Sequence, residues 1–291
     1  MRGHLADVER ADVEVDAKHK ARQRRLDIAA AAALILYAAL ALSAELGASV
    51  AGQGLDPVWA AARQRGTLRV AIDLGFYPFT WVEAGRPAGY DVDLAEAVAR
   101  KLGLGVEFVP SGLDSIYDDL AARRADVGAS ALPYAPEQSW RASFSSFYFN
   151  AGQVLVVPEG STIAGQDQLS GHVVVAALGS DADTHARRLL AEGARFTLRS
   201  EYDTPADALA ALRRGEADAA IVDNAAALID MRRPGLKLAA ALTLEPYVLA
   251  FAPEAFELRE RTNRALDELR REGFFDELGR KWFVKAAPPA P

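Results

Sequence analysis

"GRPAGYDVDLAEAVARKLGLGVEFVP", residues 85–110, holds two periodicities in one stretch. Leu94, Val98 and Leu102 recur every fourth position, which puts them on one face of a helix over 93–102. Asp93 stands where it can cap that helix. The run VEFV at 106–109 then reads as a short strand.

Outward from this unit the alternation continues. TLRVAI at 67–72 reads as a strand before it, 113–122 as a helix after it, and 127–130 as a short buried strand. Strand, helix and strand in alternation predict a parallel α/β sheet. The second half repeats the style. HVVVAA at 172–177 is a strand, Gly179-Ser180 opens a helix to about 192, and 205–213 is a second helix. A strand at 217–222 and a helix at 224–231 follow, then a strand at 247–251 and closing helices over 254–271 and 275–283. The halves read as two similar α/β lobes. GQVLVV at 152–157 and the strand at 247–251 are the expected crossings between them, which makes the first lobe discontinuous and the pair a hinge. Ligands in such folds sit beyond the carboxyl ends of strands and at domain interfaces, so the cleft is the expected site.

The chain has 291 residues, 51% of them hydrophobic, enough for one to two domains with their own cores. A net charge of −7 weighs against nucleic acid as a partner. The absence of cysteine excludes disulfides, thiolate metal sites, a cysteine nucleophile and a lipid-modified cysteine. His4, His19, His172 and His185 are scattered without ligand spacing, so no metal and no cofactor is expected.

The N-terminus differs in character. Residues 28–44 read IAAAAALILYAALALSA, without charge, and the basic stretch KHKARQRR at 18–25 precedes them. Basic residues beside an apolar run hold that side in the cytoplasm. The run is short for a membrane span, which takes roughly 17–25 residues, and slightly long for a signal-peptide core. Ser49-Val50-Ala51 offers a cleavage site. The expectation is an uncleaved anchor, with a cleaved signal as the alternative; both put the chain after residue 52 outside the cytoplasm. The expected layout is a cytoplasmic tail at 1–27, an N-terminal transmembrane helix at 28–46, a linker at 47–63, lobe 1 at 64–155 and 246–286, and lobe 2 at 156–245.

The motifs in this order resemble the family 3 periplasmic solute-binding proteins that serve polar amino-acid ABC transporters. GTLRVAIDLGFYPFTW (66–81) is similar to the opening strand and aromatic loop of that family, and 85–110 to its first helix and second strand. APEQSWRASFSSFYFNAGQVLVV (135–157) is similar to its Thr-Pro-Glu-Arg turn and hinge strand. LSGHVVVAALGSDA (169–182), ALAALRRGEADAAIVDN (208–224) and LDELRREGFFDELGRKWF (266–283) complete the order. The resemblance implies an α/β, two-lobed periplasmic-binding-protein-like fold of type II with a two-strand hinge, closing on a ligand.

By this resemblance Phe76 packs the ligand, Trp81 lies just behind it, and Leu113 edges the cleft beside Asp114. Asp223, ending the strand AAIVD, takes the position that binds a ligand ammonium, or else caps the next helix. Gly179, Ser180 and Asp181 form the helix start that receives a ligand carboxylate. Asp181 opposes an anion if it faces inward and is a plain helix-start residue if it faces out. The chain departs from the family at one position. Gln138 stands where an arginine normally forks onto the carboxylate, and an amide has neither the charge nor the fork. Ala131 and Pro133 replace two further contact positions, while Ser130 remains. Arg141, about one turn further on, is either a substitute or a surface charge. The expected ligand is therefore an amine or other cation.

The function implied is an extracytoplasmic solute-binding protein, a non-enzyme and a monomer, that delivers a small polar solute, amino acid or amine-like, to an ABC permease. The alternatives are a membrane-tethered sensory or interaction domain, and an enzyme such as the cyclohexadienyl dehydratases of this fold.

Overall fold

The computed structural model describes residues 56–285. The expected tail, the apolar run at 28–46 and most of the linker lie outside them. No helix among the described residues is long and apolar enough to cross a membrane.

The chain starts with helix α1 (Pro57–Arg65) and strand β1 (Thr67–Ile72). Asp56 caps α1 by accepting from the Val58 and Trp59 N–H groups, and its other oxygen accepts from Leu258 N. A short hairpin, β2 (Trp81–Glu83) and β3 (Arg86–Ala88), leads to α2 (Tyr90–Lys101) and β4 (Gly105–Pro110). The helix begins earlier than the periodicity predicts. Its first turn follows Gly89, and Asp93 is no cap: it accepts from Trp282 Nε1 at 2.7 Å and Lys281 Nζ at 2.6 Å.

The expected helix over 113–122 starts as a 3₁₀ turn, Leu113–Ser115, that runs into α3 (Ile116–Ala121). Next come β5 (Val127–Pro133), β6 (Ser143–Phe144) and β7 (Phe149–Asn150). With β13 (Pro246–Phe251) they form one sheet in the order β4-β1-β5-β13-β6, and β7 also pairs β13. β1 runs parallel to β4 and β5, while β13 runs antiparallel to β5, so the sheet is mixed. The returning strand arrives from the other lobe, which reverses its direction.

The second sheet holds β8 (Gln153–Pro158), β9 (Val173–Ala177), β10 (Thr197–Tyr202), β11 (Ala219–Asp223) and β12 (Leu236–Ala241), in the order β10-β9-β11-β8-β12. Helices α4 (Asp181–Ala191), α5 (Pro205–Arg213) and α6 (Asn224–Asp230) connect it. Its faces bury separate clusters, one around Leu155, Val157 and Ile221, the other around Val154, Val156 and Val222. Such near-continuous apolar strands are what a sheet covered on both faces requires. Helices α7 (Phe256–Arg271) and α8 (Phe274–Gly279) and a π-helical turn (Arg280–Lys285) close the chain against the first lobe.

Among the described residues β8 pairs with β11 and β12 alone, so the chain changes sheet between Asn150 and Gln153 and returns between Ala241 and Pro246. The two crossings are laced together. Asn150 Nδ2 donates to Thr243 O, Gln153 N donates to Thr243 Oγ1 at 2.7 Å, and Ala151 N donates to Glu245 O. A Cβ at Gly152 would lie 2.4 Å from Thr243 O, so only glycine lets the crossings run this close.

Candidate functional site

A cavity of about 550 Å³ opens between the two sheets, within the range of small-molecule sites. Phe76 and Pro133 border it from the first lobe; Ala151, Gln153, Glu245 and Tyr247 from the crossings; and the starts of α4 and α6 from the second lobe.

Phe76 is held by a tight loop. It exchanges backbone hydrogen bonds with Thr80, and its ring stacks on the fully buried Phe79 at 5.5 Å. About half its surface stays exposed (48%), an apolar face offered to an occupant. Upstream, Asp73 organises the loop by accepting from Gly75 N and Leu113 N.

Asp223 lies where β11 meets α6. One carboxylate oxygen accepts from Ala226 N at 2.8 Å, which caps the helix, and the other takes no hydrogen bond from the described residues. The cap and the cavity-facing group are thus the same side chain. Register places Asp223 opposite Gln153 in the antiparallel β8–β11 pair, which sends both side chains out of one face. Gln153 is 4% exposed and its amide has no partner among the described residues. Tyr247 is pushed up to about 12 by burial and by the negative charges of Asp91, Asp223 and Glu245, so the phenol stays protonated.

At the α4 start, Ser180 Oγ accepts from Asp183 N and donates to Ala177 O at 2.7 Å. Asp183 accepts from Gly179 N and pairs with Arg187; these contacts hold its carboxyl below its ordinary pKa against the opposing cost of burial. The Asp181 side chain borders the cavity and has no hydrogen bond or ion pair among the described residues.

Of the expected residues, Phe76, Ser180, Asp181 and Asp223 border the cavity, and Trp81, Leu113, Ser130 and Gln138 do not. Trp81 packs between Tyr77 (4.4 Å) and Trp282 (6.1 Å). Leu113 is exposed at its 3₁₀ turn. Ser130 is buried, and its hydroxyl both accepts from Asp73 N and donates to Asp73 O. Gln138 lies in the 3₁₀ turn Pro136–Gln138 with its amide oxygen buried and unpartnered. Arg141 pairs with Asp118 at 2.6 Å and lies over the Tyr117 ring. Gln153, Glu245 and Tyr247 carry no local motif. Only the pairing of β8 with β11, and the return of β13, brings them to the wall.

Residues 68–285 match the bacterial extracellular solute-binding proteins of family 3. The chain is 30% identical over 223 residues to a probable amino-acid ABC transporter-binding protein of Haemophilus influenzae, covering 75% of this chain and 84% of that one. It is 28% identical over 214 residues to a probable amino-acid-binding protein of Bacillus subtilis, covering 71% and 80%. Among solved structures it resembles the L-cystine solute receptor of Neisseria gonorrhoeae in the unliganded open conformation. The TM-score is 0.67 at 30% identity, over 75% of this chain and 93% of that one. The two α/β lobes agree with these matches, and the chain belongs to the family 3 bacterial extracellular solute-binding proteins, of the polar amino-acid ABC type.

Proposed function

We propose that the protein captures a small amine-bearing solute in the cavity between its lobes and delivers it to an ABC permease from outside the cytoplasm, by closure and without covalent chemistry. The first lobe holds the sheet of β1, β4, β5 and β13, the second the sheet of β8 to β12, and the crossings at 151–152 and 242–245 are the hinge. One observation carries the reading: Asp223 caps α6 with one oxygen and leaves the other free in the cavity wall. A carboxylate fixed by a helix cap is pre-aimed at a cation, and hydrogen bonds between charged groups are the strong ones. Phe76 supplies an apolar face for the solute's carbon chain or a π face for its cation.

The test is a thermal-shift panel on the full chain with L-amino acids, polyamines, quaternary amines and dicarboxylates. A bound solute at one hundred times its Kd adds about 2.7 kcal/mol of stability. Shifts with amine-bearing solutes, absent with dicarboxylates, are expected. Silence across the panel overturns the reading.

A further inference from the structure

The charge of the cavity is one-sided. Among the described residues its wall carries Asp181, Asp223 and Glu245 and no lysine or arginine. Three groups expected to receive a solute carboxylate are spent elsewhere. Ser130 is held by Asp73, and Arg141 by Asp118. At the start of α4 the Gly179 N–H is taken by the chain's own Asp183, which is 4% exposed. That helix start therefore already holds a buried carboxylate beside Asp181, and a second anion there meets repulsion.

Gln153 is an independent sign of a ligand. The residue is 4% exposed and lines the cavity, and its amide has no partner among the described residues, so its polar end is left to the cavity. The Gln153 side chain leaves the sheet on the same face as Asp223, so its amide oxygen and the carboxylate can accept from one cationic group. Gln153, Asp181 and Glu245 also border a side pocket of about 180 Å³. That pocket includes Arg188 and His185, joined to each other at 2.7 Å through His185 Nδ1.

We propose that the solute is a small dication without a carboxylate, of the diamine class. One cationic end rests on Asp223 and Gln153, the other on Asp181 and Glu245 at the neck of the side pocket. The inference rests on the cleft being the solute site. A single positive charge answers one of three wall carboxylates and leaves the other two with Arg188 as the one cation in the side-pocket lining among the described residues, and unpaired charge resists burial. Two charges relieve that, and the carbon chain between them lies against Phe76.

The experiment is calorimetric titration of the full chain with 1,4-diaminobutane, L-ornithine and n-butylamine. L-ornithine is 1,4-diaminobutane with one added carboxylate, and n-butylamine is the same chain without the second ammonium. The diamine is expected to bind at least about tenfold more tightly than either, the worth of one charge-assisted hydrogen bond. Glu245→Gln and Gln153→Leu are each expected to lower diamine affinity by about tenfold. L-ornithine binding as tightly as the diamine means that a carboxylate acceptor exists; the dication is then overturned while amine capture stands. Equal binding of n-butylamine removes the second pole with the same consequence. Silence toward all three overturns the dication, and silence toward the whole thermal-shift panel as well takes the solute-binding reading with it.

Discussion

Arg232, just past α6 in the second lobe, donates to the Tyr77 hydroxyl in the aromatic loop of the first at 2.9 Å. The same guanidinium donates to Phe283 O at 2.7 Å and Trp282 O at 2.9 Å, in the closing π-helical turn. Ala225, Leu228 and Ile229 of α6 pack on the first lobe's core beside it. The helix capped by Asp223 is thus pinned at its far end to the opposite lobe. Arg232→Ala is expected to lower stability by about 1.5–3 kcal/mol, because hydrogen bonds from a charged donor are lost together. Arg232→Lys should recover only part of this, since an ammonium has no fork to span three acceptors. Urea unfolding of the variants checks both.

Asp223→Asn separates capping from charge. Asparagine caps a helix about as well as aspartate, so the stability of the empty protein should change by less than about 0.5 kcal/mol. The thermal shift produced by amines should disappear. An unaltered shift would remove Asp223 from the site.

Gly152→Ala strikes the double crossing between the sheets. Its Cβ would meet Thr243 O at 2.4 Å and Thr243 Oγ1 at 2.6 Å, and that hydroxyl holds Gln153 N. Overpacking of this kind costs about 1–3 kcal/mol. The midpoint of thermal unfolding should fall, and amine affinity should fall with it because Gln153 is displaced. A variant with wild-type melting and affinity would show that the crossings separate freely.

Asp91 makes stability depend on pH. Its carboxyl is fully buried and accepts from Ala131 N and, at 2.9 Å, from the Tyr148 hydroxyl. Burial raises it to about 7, against the lowering effect of those two hydrogen bonds. A carboxyl raised on folding favours the native state when protonated. Its contribution is full below the unfolded value and is lost as pH rises through about 7. Urea unfolding should therefore show stability falling from pH 5 to pH 8, by at most about 1.4 kcal/mol per unit from this group. Asp91→Asn should flatten that slope.

The sequence by itself determined the strand–helix alternation, the start of α4 after Gly179-Ser180 and the strand-end position of Asp223, because each follows from local periodicity or from the needs of a helix terminus. The tertiary structure decided where the polar groups are spent. Asp93 bonds to Trp282 and Lys281, Ser130 to Asp73, and Arg141 to Asp118, partners far along the chain for Asp93 and Ser130 and on a neighbouring helix for Arg141. It also decided that Gln153 stands opposite Asp223 and that Glu245 returns beside it. Antiparallel pairing of β8 with β11 joins residues some seventy positions apart. No local pattern encodes that register, since it is set by burying both faces of the second sheet at once.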